Sequence, residues 1–234
     1  MQLAEITNLR SAKRVYNYLA DSKQPERTAI FYGKRGLGKS TALLSLKQEA
    51  NAVYLYCLPT YTDRSFIEDV LEACGLSPEK RNKTALLKQC IEYFSDTKRP
   101  LLLDDCDNIT NGNLPEIARS IHDRAKNIVI LAGMERFAHK LSRWPQLVDR
   151  SHLLQFQSLS LQDVKALAEL TPITIESELV EKIYKASEGK ARLAIRSIGY
   201  VNEFANLREL DHIGVSDWGN QSLLPNPEGV KIAA

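Results

Sequence analysis

Short apolar runs alternate along the chain with longer stretches whose apolar residues recur every three or four positions. Runs of the first kind predict buried strands, and stretches of the second kind predict helices that cover them. The first helical stretch carries Leu9, Ala12, Val15, Tyr16 and Leu19 on one face, ahead of Thr28-Ala29-Ile30-Phe31-Tyr32, a predicted strand that runs into a glycine-rich turn. The pattern then predicts a helix from Lys39 to Ala50, a strand from Ala52 to Leu58, helices from Asp63 to Cys74 and from Lys83 to Ser95, and a strand from Pro100 to Cys106. A helix from Leu114 to Ala125, a strand from Asn127 to Ala132, a short helix from Glu135 to Leu141 and a last strand from His152 to Gln157 complete the alternation.

From Ser160 the strand signals stop, and helices are expected from Leu161 to Leu170, Glu176 to Ser187 and Arg192 to about Leu210. The expected fold is α/β, a parallel sheet with covering helices over residues 1–158, followed by a small α-helical subdomain over 159–210. Residues 211–234 hold Gly, Pro, Asn and Ser with little periodicity, which predicts an extended C-terminal tail.

A chain of 234 residues with 44% hydrophobic content can bury one substantial core and a small appended subdomain. The net charge of +2 gives the whole molecule no strong bias toward nucleic acid or membrane, so any nucleic-acid surface must come from local clustering. The first residues lack the basic and apolar regions of a secretory signal, and no stretch approaches the ~20 apolar residues of a membrane span. A cytoplasmic protein with no membrane partner is expected. Cys57, Cys74, Cys90 and Cys106 show no metal-ligand spacing and lie among apolar residues, which reads as four small buried hydrophobes.

The turn after the first predicted strand is Gly33-Lys34-Arg35-Gly36-Leu37-Gly38-Lys39-Ser40, the spacing of a phosphate-binding P-loop. Glycines at 33, 36 and 38 let the backbone wrap phosphate oxygens with successive N–H groups pointing inward, where a Cβ would collide. Lys39 would reach the β- and γ-phosphates, Ser40 would place its hydroxyl on Mg²⁺, and the start of the next helix, with Leu37 and Thr41 flanking, completes an ATP site. Leu101-Leu102-Leu103-Asp104-Asp105 is an apolar strand ending in two carboxylates. Asp104 fits the Mg²⁺-associated acid, and Asp105 stands where a carboxylate can orient or deprotonate the attacking water.

With these two motifs and a helical segment behind them, the chain resembles the AAA+ ATPases over roughly residues 8–205. Within them it is most similar to the MuB-like and TnsC-like transposition regulators, with IstB-like and DnaC-like loaders nearby. That narrower resemblance rests on Asn8-Leu9-Arg10, the Leu103–Asp107 segment, Ala132-Gly133-Met134-Glu135, Phe156-Gln157-Ser158-Leu159-Ser160 and the compact helical region. It implies an arginine at the start of a lid helix, matched here by Arg192 in Gly189-Lys190-Ala191-Arg192, and an arginine finger for a neighbouring subunit, for which Arg150 is preferred over Arg143. The strand tip that carries a polar sensor in the family is Gly133-Met134 here, which leaves that role unassigned. Asp105 replaces the commoner Glu, and its shorter reach implies slow hydrolysis stimulated by assembly or DNA.

The resemblance further implies a homo-oligomer, filament or ring, that forms with ATP on double-stranded DNA and delivers this target to a transposase. Each subunit then needs only a few cations and hydroxyls facing the DNA. Tyr61, Thr62 and Arg64 after the second strand, and Lys80, Arg81 and Lys83 ahead of a helix, offer them; Arg119, Arg124 and Lys126 are a third group. Two other readings stay open: a helicase-loader-like ATPase of the DnaC or IstB kind, and a nucleotide-gated interaction module that uses no DNA.

Overall fold

The computed structural model describes residues 4, 6–21, 27–78, 82–109 and 113–224. The chain divides into two compact units. One comprises Ser11–Lys34 and Lys39–Phe156; the other comprises Met1–Arg10, Arg35–Gly38 and Gln157–Ala234.

The first unit is the α/β body. Its strands are β1 (Thr28–Tyr32), β2 (Val53–Tyr56), β3 (Leu101–Asp104), β4 (Val129–Gly133) and β5 (Ser151–Gln155), all parallel in the order β2-β3-β4-β1-β5. β3 and β4 are buried throughout, as strands covered on both faces must be, which is why Leu-Leu-Leu and Val-Ile-Leu-Ala read as continuous apolar runs. β5 lies at an edge, and its residues are mostly exposed.

The covering helices start and stop where local chemistry dictates. α1 (Thr7–Ala20) crosses the unit boundary at Arg10, and α2 (Lys39–Glu49) buries Ala42, Leu43 and Leu46. α3 (Asp63–Ala73) opens on a capping box in which the Thr62 side chain accepts from Ser65 N–H. α4 (Lys83–Thr97) is capped by Asn82 and ends at Lys98 with φ +54°. α5 (Leu114–Ala125) starts at a proline in its first turn and ends at Lys126 in the same left-handed conformation. Two short helices, α6 (Glu135–Lys140) and α7 (Pro145–Val148), precede β5. The main core joins Phe66, Phe94, Leu101, Leu103, Leu131 and Phe137.

The second unit packs α8 (Leu161–Ala168), α9 (Ser177–Ser187) and α10 (Ala191–Leu207) around Val164, Leu179, Ile183, Ala194 and Val201. Strands do not stop at Ser160. β6 (Thr174–Ile175) pairs in parallel with β7 (His212–Ile213), and α11 (Val215–Trp218) follows. The expected extended tail is therefore folded as far as Leu224. Trp218 is 5% exposed, meets the Phe204 ring edge-on at 5.1 Å and donates through Nε1 to the Gln221 carbonyl, while Ser197 Oγ donates to that of Leu223. One buried indole supplies the apolar area that periodicity did not reveal. Residues 225–234 lie outside the described residues. No helix among the described residues is long and apolar enough to cross a membrane.

Candidate nucleotide-binding and hydrolysis site

β1 delivers the chain into the turn at Gly33. There φ is +149°, and an added Cβ would lie 2.7 Å from the carbonyl oxygen of Phe156, the residue after β5, so the neighbouring backbone excludes any side chain. Gly36 and Gly38 have φ of +84° and +93°. Lys39, Ser40 and Thr41 form the first turn of α2, where helix N–H groups lack intrahelical acceptors and favour an anion. Lys39 Nζ donates to the carbonyls of Gly33 at 2.7 Å and Lys34 at 2.9 Å. Burial pushes its ammonium below the usual range, against the opposing pull of Asp107, Asp104, Asp105 and Glu135.

Asp104 ends β3 at 3% exposure. Its Oδ1 accepts the Asp105 N–H and its Oδ2 the Tyr54 hydroxyl, each at 2.8 Å. Burial and that hydrogen bond push the Tyr54 phenol well up, so it stays a donor. Asp105 adopts φ +52°, the left-handed region that aspartate tolerates better than most residues. Its Oδ2 accepts from Tyr56 Oη at 2.8 Å and from Asn108 Nδ2 at 3.1 Å, and the same Asn108 nitrogen donates to the Cys57 carbonyl. A third carboxylate, Asp107, accepts from Met134 N–H at 2.6 Å and Arg136 Nε at 2.9 Å, tying the end of β3 to that of β4.

Tyr54, Tyr56 and Asn108 escape sequence reasoning. Tyr54 and Tyr56 alternate on one face of β2, but only the pairing of β2 with β3 brings them against the two aspartates. All four cysteines are free thiols; Cys57, Cys90 and Cys106 are buried as expected, and Cys74 only partly. Cys57 and Cys106 are buried with their sulfurs 4.0 Å apart, and burial pushes the Cys74 and Cys90 thiols up to about 12.

At the end of β4 a Cβ on Gly133 would lie 2.6 Å from the Phe137 ring, so packing requires a glycine at the strand tip where the family carries a polar sensor. Arg192 opens α10, and its backbone N–H donates to the Gly36 carbonyl at 3.1 Å. Arg150 precedes β5, at the strand ends opposite the glycine-rich turn; its side chain is 54% exposed and 3.8 Å from Asp123. It lies away from its own Gly33 and Lys39.

The candidate DNA residues divide. Tyr61 donates to Asp69 at 2.6 Å and packs edge-on to Phe66, and the Thr62 hydroxyl caps α3, so both serve the fold. Arg64 and Lys83 are exposed and form ion pairs with Glu68 and Asp63; the second pair joins the starts of α3 and α4. Arg119 is engaged by Glu116 and Asp123 on its own helix. Lys80 and Arg81 lie outside the described residues.

The conformations of Gly33, Gly36 and Gly38 and the ammonium of Lys39 in the field of four carboxylates, the buried Asp104 among them, fit a magnesium nucleotide. A profile of the family described as AAA domain matches residues 22–141, more than half of the chain. The chain belongs to the AAA domain family. This AAA domain is 26% identical over 209 residues to the replication factor C large subunit of Pyrococcus horikoshii, spanning 84% of this chain and 40% of that protein. It is 24% identical to replication factor C small subunit 1 of Pyrobaculum arsenaticum over 82% of this chain and 56% of that one. It therefore spans about half the length, or less, of these relatives. In fold it matches the RuvB Holliday junction branch migration motor of Thermotoga maritima with a TM-score of 0.60 at 16% identity, over 89% of this chain and 65% of that one. A STAND signal-transduction ATPase of Pyrococcus horikoshii gives 0.52 at 16% identity, over 84% and 30%. The family is one of P-loop ATPases, and the fold is theirs.

Proposed function

We propose that this AAA domain is an ATP-gated switch that assembles on double-stranded DNA, as a filament or ring, and delivers that DNA to a transposase. The observation that carries the reading is the restraint on Asp105. The carboxylate that would activate water is tied down by Tyr56 and Asn108, so the isolated subunit holds its hydrolytic group away from work. A slow ATPase of this kind spends most of its cycle loaded, which suits a switch better than a motor.

Gly36, Gly38, Lys39, Ser40 and Thr41 would hold the triphosphate and Asp104, with Ser40, its Mg²⁺; bound ATP supplies the phosphoryl group transferred to water. Lys39 already presents its charge to that region. Asp105 orients water once its carboxylate is released, and Arg192 and a neighbour's Arg150 neutralise developing charge. The exposure of Arg150 at the far strand ends favours its use in trans. Arg64 and Lys83 would exchange their surface partners for phosphates at little cost, because exposed ion pairs contribute under ~1 kcal/mol. The DNA-related names of the replication factor C and RuvB relatives support the DNA part; the transposase part rests on the sequence resemblance.

Electron microscopy of the protein with double-stranded DNA, with and without ATP or a slowly hydrolysed analogue, tests the reading. Regular assemblies that need both ligands, and that Lys39→Ala abolishes, are expected. Dispersed subunits in every condition would overturn it in favour of a loader or an interaction module.

A further inference from the structure

Asn8, in the first turn of α1, is 5% exposed. An amide so buried needs specific partners. Its Oδ1 accepts the Gln157 N–H at 3.0 Å, and its Nδ2 donates to the carbonyls of Gln157 at 2.8 Å and Leu37 at 3.1 Å. The Gln157 N–H can only donate, so it fixes which end of the Asn8 amide is oxygen, and both Nδ2 hydrogens are then committed.

Leu37 immediately precedes Gly38 in the phosphate-binding turn. The Leu37 carbonyl and the Gly38 N–H share one planar trans peptide, so they point in opposite directions. Holding that carbonyl on Asn8 therefore sets the direction of the Gly38 N–H, which has no acceptor among the described residues. The preceding carbonyl, of Gly36, is held in the same way by the Arg192 N–H. Two successive carbonyls of the turn are thus held within the helical unit, and the Leu37–Gly38 peptide leaves its N–H pointing away from Asn8.

We infer that Asn8 is a positioning residue of the phosphate cradle, fixing the Leu37–Gly38 peptide so that the Gly38 N–H is preset for a phosphate oxygen. The inference rests on the nucleotide reading of the turn and deepens it. A glycine with φ of +93° and nothing within 4 Å of a would-be Cβ gains no orientation from packing, so the hydrogen bond from Asn8 supplies it. The same amide also holds Gln157, where the last of the three stretches of the helical unit begins.

The test compares Asn8→Ala, which removes the clamp, and Asn8→Asp, which sets a carboxylate against two carbonyl oxygens, with the wild type. Isothermal titration would use ADP, inorganic tripolyphosphate and adenosine, with thermal unfolding as the check on folding. Both variants are expected to lose about tenfold in affinity for ADP and tripolyphosphate, the scale of one oriented hydrogen bond, with adenosine binding unchanged. Asp163→Asn, which disturbs the contacts of Asp163 with Thr7 and Ser160 in the same unit, is expected to bind as the wild type does. Unchanged phosphate affinity in a folded Asn8 variant would overturn the role of Asn8. Failure of the wild type to bind either phosphate ligand would instead overturn the nucleotide reading. If neither variant folds, the side-chain amide signals of Asn8 in the wild type decide, since tripolyphosphate must shift them for the inference to stand.

Discussion

At the scale of single residues, the balance of the site turns on hydrogen bonds to two adjacent carboxylates. Asp104 is steadied by a phenol that burial keeps protonated, which suits a metal-associated acid that must not wander. Asp105 is held by a half-exposed phenol and an amide, a restraint that can be undone. Tyr56→Phe removes one of the two bonds, each worth about 1 kcal/mol, and is expected to raise DNA-free ATP turnover about fivefold with KM unchanged. Steady-state phosphate release measures it, and an unchanged or lower kcat would count against the restraint. At β4, Gly133→Asn drives a side chain into the Phe137 ring and is expected to destabilise the α/β body by about 3 kcal/mol, read from denaturant midpoints. The glycines, Lys39 and the aspartates were legible in the sequence because each motif is contiguous. The roles of Tyr54, Tyr56 and Asn8 were not legible, because their partners lie 29 to 149 positions away and meet them only through strand order or chain crossing.

At the scale of elements, periodicity located every strand of the main sheet and every long helix to within a few residues. It missed β6, β7, α7 and α11, which are too short to show a period and depend on tertiary contacts for their existence. The end of α5 shows how such contacts give an element its pH dependence. His122 bonds through Nδ1 to the Asn127 carbonyl at 2.8 Å. Burial pushes its pKa below the ordinary 6.5, a shift that this hydrogen bond and Asp123 only partly oppose. The folded chain thus resists a proton that the unfolded chain accepts. Stability contributed by neutral His122 is complete above pH 6.5 and is lost as pH falls from there toward the lowered folded value. Thermal unfolding between pH 7.5 and 5.5 is expected to show this loss in the wild type and a flatter profile in His122→Gln. Equal slopes would place the acid sensitivity elsewhere.

At the scale of the whole molecule, the roles proposed for Asp105 and Arg150 complete the site only between subunits, because Arg150 is exposed at the strand ends opposite Gly33. Arg150→Ala is expected to bind ATP as the wild type does but to lose assembly-stimulated hydrolysis by on the order of a hundredfold. Mixing it with Lys39→Ala should restore part of the rate, because the second variant lends its arginine to the intact turn of the first. Absence of any recovery would argue that Arg150 acts within its own chain or not at all. The parallel α/β architecture was readable from the alternation of strand and helix signals. The makeup of the helical unit was not, because it gathers three separated stretches, Met1–Arg10, Arg35–Gly38 and Gln157–Ala234. That interleaving has an evolutionary consequence. A helical region joined at a single seam could be traded between genes as a cassette, whereas this one carries the start of α1 and the tip of the glycine-rich turn with it. A graft spliced at Gln157 would sever Asn8 and Gly36 from their partners Gln157 and Arg192, so an exchange of the helical unit has to carry all three stretches together.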